Sequence, residues 1–533
     1  MSKRPKKKGG TTPAPAIGEK SALLPGIASR TYSALLLLIL AIALLLRLPG
    51  LGTPVGGFHS FNEAHYILVA QNVLRGWILS PSVDQSTVFL ETPPLFPYVL
   101  ALTFATAGVS VLVARLLAVT IGMLLVWVVS LLGRRLFGAE AGLASAALMA
   151  TAPIAVMVGR NVQTDSMLVL LIVAALVLYH RAGDESAAAT RARLQSGFLF
   201  GLALFTKLFA GVALLAVVAW DLIVHGVSRP LSDRRRWMAA ALVILPAGVF
   251  YGYHATRDYR YFVDNVFRGA AGATTVPSTT SEWITLGAEA WWGFSPPVAV
   301  LMIAGTLLAV ARPRVNLLYL LLPMLSYTLF YLVVHKHSYY LLCLLPFGSL
   351  LAAAAVSRIP WRPVRIGIWI FACLYACFLT LVDYGSMKLG FHEFAEASGR
   401  LRGGAGMRIS VDADVADNAY PVARLYLPRA ALALGGAGGQ WERDGSSRLS
   451  YASSGETATQ SKMLFFRNRH GLQLFGWLIA EDHGNPHFFR QGSYYFERTG
   501  SLLDFGFPLM HRYPALRLTT PAGSGSESSA PEL

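Results

Sequence analysis

Apolar runs close to twenty residues long recur along this chain from Tyr32 to Val382, and nothing else in the sequence limits its fold so severely. A run of that length forms a helix long enough to cross about 30 Å of hydrocarbon. Runs read at 32–48, 110–133, 139–158, 166–180, 195–207, 209–226, 237–253, 294–311, 315–334, 338–356 and 364–382 give eleven crossings. Of the 533 residues 54% are hydrophobic and only 14% charged, which excludes a soluble globular enzyme. The formal charge of +16 is therefore read by location, as a property of loops, and implies no nucleic-acid partner. Cys343, Cys373 and Cys377 all lie inside apolar runs, so neither a disulfide framework nor a thiolate metal site is indicated. No Walker A or HExxH pattern occurs, which leaves nucleotide-driven transport and zincin proteolysis without support.

One segment decides the topology. Pro93 to Ala107 is apolar, but Pro93, Pro94 and Pro97 interrupt it, and as a helix it spans only about 22 Å. Placed along the outer interface, it leaves twenty-one basic residues in cytoplasmic segments. They form the tail, Arg134/Arg135, Arg181/Arg191/Arg193, Arg229/Arg234/Arg235/Arg236, Arg312/Arg314 and Arg358/Arg362/Arg365. Seven remain outside: Arg75, Arg160, Lys207, Arg257, Arg260, Arg268 and Lys336, with Arg47 and Arg115 inside apolar runs and in neither count. Counting the segment as a crossing would reverse this, against the positive-inside tendency. The N-terminus is expected in the cytoplasm. Residues 1–30 read as a disordered basic tail and not as a cleavable signal.

The expected fold class is an α-helical polytopic membrane domain over 31–382, joined to a small extracytoplasmic α+β domain over 383–520 and a disordered tail at 521–533. The composition changes after Val382, where Gly, Asp, Ser and Asn rise. Alternating stretches at Arg408 to Val411, Met463 to Phe466 and Ser493 to Phe496 predict short strands.

On this topology the ionisable residues gather on the outer face: His59, Asn62, Glu63, His65 and Tyr66 with Glu91; Arg160 with Asp165; Tyr259 to Arg268; and His335, Lys336, His337, Tyr339 and Tyr340. Lys207 joins them from the end of a crossing. Single members of such a set are often solvated loop ends, but charges at membrane depth are costly and tend to line polar paths. Acids there suit a general base, because a hydroxyl attacks poorly without a proton acceptor. Cations there suit a phosphate leaving group, which departs as an anion once its charge is stabilised.

At these residues the sequence resembles the GT-C glycosyltransferases. The resemblance is carried by Phe61-Asn62-Glu63-Ala64-His65-Tyr66, Glu91-Thr92-Pro93-Pro94-Leu95, Gly133-Arg134-Arg135-Leu136-Phe137-Gly138, Asp165, Leu204-Phe205-Thr206-Lys207 and His337-Ser338-Tyr339-Tyr340 with Leu345-Pro346. It covers roughly residues 30 to 382. The nearest branch is that of protein O-mannosyltransferases and the aminoarabinose transferase of lipid A. The resemblance implies transfer of a hexosyl or pentosyl group from a polyprenyl-phosphate sugar to a hydroxyl of a lipid, glycan or protein. It places the reaction on the outer face of a membrane such as the bacterial inner membrane, with inversion.

In that family an acidic pair opens the first outer loop and its first Asp is the proposed base. Here Asn62 occupies that position, which leaves two readings: Glu63 takes over as base, the preferred reading, with Asp165 orienting the acceptor or sharing the role, or Asp165 acts alone. Lys207, Arg268, His335, Lys336, His337, Tyr339 and Tyr340 match regions that hold the donor phosphate. Asn62, His65, Tyr66 and Arg160 would line the pocket. Glu91 matches a glutamate that can ligate a divalent metal in the aminoarabinose transferase. The segment from Pro93 to Ala107 matches a juxtamembrane helix, in agreement with the charge count.

Two other functions compete. A transporter or flippase for an anionic lipid would use the same cations, but transporters tend to place their sites at the midplane between related halves. Here the charges lie toward one face and no repeat is visible. A lipid-linked polymer ligase is compatible with the long outer segments 49–109 and 254–293.

Overall fold

Capping residues divide the apolar runs into helices where the sequence changes character. The structure is a computed structural model. It describes residues 29–386, except 53, 54, 56–59, 84–87, 91, 182–185, 228–231, 269–279 and 334–337, and beyond residue 386 only Leu425 and eight short strands. The helices are α1 (Ser29–Leu45), α2 (Ser60–Leu74), α3 (Leu95–Ala107), α4 (Val111–Phe137), α5 (Ala139–Thr151), α6 (Pro153–Val158), α7 (Thr164–Arg181) and α8 (Ala187–Thr206). There follow α9 (Ala210–His225), α10 (Arg234–Arg257), α11 (Tyr259–Val263) with a π-helical turn at Asp264–Arg268, α12 (Thr280–Phe294), α13 (Pro296–Ala311), α14 (Val315–Val333), a 3₁₀ segment Ser338–Cys343, α15 (Leu345–Val356) and α16 (Arg362–Ser386).

Each of the eleven expected runs falls on one helix or on two consecutive ones. Four helical stretches are by themselves long and apolar enough to cross a membrane: Val111–Phe137, Arg234–Arg257, Val315–Val333 and Arg362–Leu381. Their apolar surface makes this an integral membrane protein. The segment from Pro93 to Ala107 forms the short helix α3, which starts after Pro94 and packs on α2.

Local chemistry explains the boundaries. Ser110 caps α4 by accepting from the Val113 backbone N–H at 3.1 Å, and Gly138 ends the helix at φ 96°, a conformation only glycine adopts without strain. Pro153 cannot donate to the Met149 carbonyl, so the run read as 139–158 breaks into α5 and α6. Arg47 supplies a donor to the Met149 carbonyl in its place and fills the break. Its guanidinium donates to the carbonyls of Ala43 at 2.9 Å, Ala150 at 3.1 Å, Met149 at 3.4 Å and Ala155 at 3.0 Å. Gly197 and Gly201, four residues apart on α8, let α10 approach closely: a Cβ there would lie 2.5 Å from the Ala239 carbonyl oxygen and 2.4 Å from that of Leu242.

Pairs of side chains fix two poles. At one lie the last turn of α4, the starts of α5, α8, α10, α14 and α16 and the end of α9: Arg365 on α16 holds Glu140 on α5, Arg193 on α8 holds Asp233, and Arg236 on α10 holds Asp221 on α9. At the other pole lie the start of α4, the loop between α6 and α7, and the end of α8. Beyond residue 386, β1 (Arg408–Asp412), β2 (Ala431–Gly435), β3 (Arg448–Ser450), β4 (Ser461–Phe465) and β8 (Ala515–Thr519) pair in the order β2-β1-β3-β8-β4. β5 (Leu472–Leu474), β6 (Trp477–Glu481) and β7 (Tyr494–Arg498) form a second, antiparallel sheet. The three alternating stretches read from the sequence coincide with β1, β4 and β7.

Candidate active site

Asp165 stands in the first turn of α7, and Lys207 follows the last residue of α8. Because α7 and α8 run antiparallel, the two chain positions, 42 residues apart, meet at one pole. The Lys207 ammonium donates to Asp165 Oδ1 at 2.9 Å, with the side chains only 12% and 3% exposed. Three aromatic rings surround the same ammonium: its Nζ lies 5.1 Å from the ring centre of Phe209, 4.9 Å from that of Tyr339 and 4.7 Å from that of Tyr340. Rings offer negative faces without taking the cation's hydrogen bonds, so the charge stays available to an anion.

Helix α2 brings Tyr66 to this pair. Burial raises its hydroxyl above the ordinary phenol range while Lys207 pulls the other way, which records that the two are close. The His65 ring packs between Tyr66 and Phe89, with centroids at 5.4 and 4.3 Å. Burial pushes its imidazole down to about 4, so it is neutral at ordinary pH.

Glu63 has partners that the sequence did not reveal. Arg115 on α4 grips it in a two-point ion pair, Nε to Oε1 at 3.0 Å and Nη2 to Oε2 at 2.7 Å. The backbone N–H of Val162 also donates to Oε1 at 3.0 Å. Arg115 reaches back to the Leu51 carbonyl at 3.1 Å. Both oxygens of Glu63, which is 1% exposed, are therefore engaged, and the carboxylate ties α2, α4 and the loop that carries Asp165. Arg160, expected in the pocket, is buried and donates to the Pro49 carbonyl, which pins the same loop from outside. Asn62, on α2, is partly buried.

Of the expected phosphate ligands, the structure brings Lys207, Tyr339 and Tyr340 together. The backbone of Arg268 closes the π-helical turn after α11, and its side chain lies outside the described residues. His59, Glu91, His335, Lys336 and His337 also lie outside them. Among the described residues no group of three or more His, Cys, Asp or Glu is placed to hold a metal ion.

Sequence reading set aside Arg115, although an arginine inside an apolar run is itself a signal, since its burial demands a partner. It also passed over Glu289 on α12. That side chain is fully buried, accepts a hydrogen bond from the Tyr331 hydroxyl at 3.3 Å on Oε2, and has no partner for Oε1 among the described residues. Burial pushes its carboxyl up to about 8.

Comparison with known proteins agrees with this architecture. Residues 91–251 match the family model described as dolichyl-phosphate-mannose-protein mannosyltransferase. No curated protein matches the sequence. Among solved structures, ArnT from Cupriavidus metallidurans bound to undecaprenyl phosphate superposes with a TM-score of 0.60 at 16% identity, over 76% of this chain and 87% of that one. The same enzyme in its apo state gives 0.61 at 16% identity, over 76% and 86%. At that identity the likeness is one of fold. The resemblance read from the sequence thus holds in tertiary structure: this chain has the GT-C fold, and residues 91–251 carry the sequence pattern of its mannosyltransferase branch.

Proposed function

We propose that this protein is a membrane glycosyltransferase that moves a sugar from a polyprenyl-phosphate donor to a hydroxyl acceptor on the extracytoplasmic face, with inversion. The observation that carries the reading is the buried Lys207–Asp165 pair, a cation ringed by aromatics against a carboxylate. The ArnT relative binds undecaprenyl phosphate, which supports a lipid phosphate as the anion that Lys207 meets. The basic loops at the Arg134 pole support a cytoplasmic assignment for that end, and with it a cytoplasmic N-terminus.

The chemistry follows from the pair. Without donor, Lys207 spends its charge on Asp165. A donor phosphate competes for that ammonium, and Asp165, relieved of its cation, becomes the stronger base. Asp165 takes the acceptor's hydroxyl proton as the oxygen attacks the sugar's anomeric carbon. The bond from that carbon to the phosphate oxygen breaks, and its electron pair leaves with the phosphate, where Lys207 balances the charge. The products are an inverted glycoside and the polyprenyl phosphate.

Glu63, the first choice for the base from the sequence, holds Arg115 and the Val162 N–H, so the proposal gives it the positioning of the loop before Asp165. The test is transfer from a panel of radiolabelled polyprenyl-phosphate sugars by purified protein in native lipid extract. Asp165→Asn is expected to lose about 10³-fold in rate and Glu63→Gln about 10-fold. The reverse order would return the base to Glu63, and no transfer by the wild type from any donor would remove the function.

A further inference from the structure

The loop from Gly159 to Asp165 is held on every side. A Cβ at Gly159 would lie 3.0 Å from Arg47 Nε, Arg160 donates to the Pro49 carbonyl, the Val162 N–H donates to Glu63, and Asp165 accepts from Lys207. In the middle of this fixed segment sits Gln163, 1% exposed, and neither its Nε2 nor its Oε1 meets a partner among the described residues. Three residues on, Ser166 is 2% exposed and its Oγ is likewise unpartnered.

The two positions flank the first turn of α7, where a residue before the helix and its third residue face one another and ordinarily bond the free backbone N–H groups. Here neither side chain does so. A buried amide with both ends unpaired costs free energy that an apolar side chain of the same size would not, and the pinned loop gives it no freedom to search for a partner. Such a group, two residues from the acid at the reacting centre, is set for a partner that arrives with the substrate. An amide sets an N–H donor and a carbonyl acceptor side by side, the match for a hydroxyl, which both gives and takes a hydrogen bond. A phosphate would use only the donor.

We infer that Gln163, with Ser166 beside it, binds a hydroxyl of the transferred sugar next to Asp165 and so sets which sugar is accepted. The inference rests on the glycosyl-transfer reading and deepens it. Gln163 is a specificity residue: it selects the ring that reaches the base and does not itself take the proton.

The experiment compares kcat/KM for polyprenyl-phosphate mannose, polyprenyl-phosphate 4-amino-arabinose and the monodeoxy analogues of each, in wild type, Gln163→Leu and Gln163→Asn. A site built around a hydroxyl rejects the analogue that lacks it, so the wild type should disfavour one deoxy sugar by at least ~100-fold. Both variants should shrink that ratio by ~10-fold or more, since Asn withdraws the amide by one methylene. Gln163→Leu should melt no lower than wild type, because it removes an unpaired amide. Unchanged ratios in both variants overturn the inference while leaving the enzyme reading intact. So does a uniform loss for every sugar together with a lower melting temperature, the signature of an amide held by buried water. Where the panel shows another sugar to be transferred, its monodeoxy analogues replace these, and failure of the wild type with every donor of the panel overturns the glycosyl-transfer reading and this inference with it.

Discussion

The two poles of the helical bundle both carry ion pairs, and they use them differently. At the Arg134 pole the pairs join helix to helix: Arg365–Glu140 links α16 to α5, Arg193–Asp233 links α8 to the start of α10, and Arg236–Asp221 links α10 to α9. Two of the three carboxylates reach toward solvent, Asp233 at 27% and Glu140 at 25% exposed, while Asp221 at 9% is shared by Arg236 and His225. Even the side-chain atoms without a hydrogen bond there have a carboxylate near, His225 Nδ1 at 2.9 Å and Arg236 Nε at 3.5 Å. At the Lys207 pole Asp165 and Glu63 are 3% and 1% exposed, and around them lie unpartnered polar atoms of His65, Gln163, Ser166 and Glu289. Among the described residues one pole satisfies itself, while the other holds polar capacity that no described group uses. Charges alone therefore do not mark a site in this fold; unused polar capacity beside a buried charge does.

The contrast can be broken most forcefully by removing one partner of a buried pair. Arg115→Met leaves the Glu63 carboxylate buried and unmatched, and a loss of about 3–5 kcal/mol in unfolding free energy is expected by denaturant titration in detergent. The double variant with Glu63→Leu should recover most of it. Lys207→Met should cost a similar amount and also abolish binding of a polyprenyl phosphate, which isothermal titration would read. Retained binding would take Lys207 out of the phosphate site.

The pairs at the Arg134 pole should respond far less. Arg193→Ala is expected to cost about 1 kcal/mol or less, and transfer should stay within about 3-fold of wild type, because a partly exposed pair gains little over its solvated ions. A transfer loss as large as that of Asp165→Asn would erase the distinction between the poles.

The effects of pH are spread over several units of titration, and they have opposite signs. The His65 imidazole is held below its unfolded value, down to about 4, so the folded state resists protonation. Its contribution to stability is complete above about 6.5 and is lost as pH falls toward 4. The Glu289 carboxyl is held above its unfolded value, up to about 8, so the folded state keeps a proton that the unfolded chain has released. That contribution is complete below about 4.5 and is lost as pH rises through 8. Melting temperatures across pH 4 to 9 should show His65→Phe flattening the acid side and Glu289→Gln the alkaline side. A curve unchanged by Glu289→Gln would mean that its carboxyl titrates as an exposed one does.

Much of this was legible before any coordinates. Periodic apolar runs and their Ser, Asp, Gly and Pro boundaries identify the helices, because capping and hydrocarbon crossing are local or nearly local properties. The run read as 139–158 is one crossing in the sequence, and only the structure divides it at Pro153 into α5 and α6. The same residue chemistry singled out Asp165, Lys207, Tyr339 and Tyr340. The sequence also carried the family resemblance, through motifs spread from Phe61 to Pro346.

What it did not carry was who pairs with whom. Glu63 and Arg115 stand 52 residues apart, and only the packing of α2 on α4 turns a candidate base into the anchor of a loop. Arg47 was just one arginine in an apolar run until the fold set it against the Met149 carbonyl that Pro153 frees and the carbonyls of Ala150 and Ala155 around the break. Gln163 is an unremarkable amide in the sequence, and its meaning lies wholly in burial without partners. Local sequence determined the helices and the inventory of chemical groups, since backbone propensity, capping and hydrophobic length act over a few residues. Tertiary structure alone decided which charges are neutralised and which polar atoms remain open, since desolvation and Coulomb pairing depend on distances between segments that the linear order does not encode.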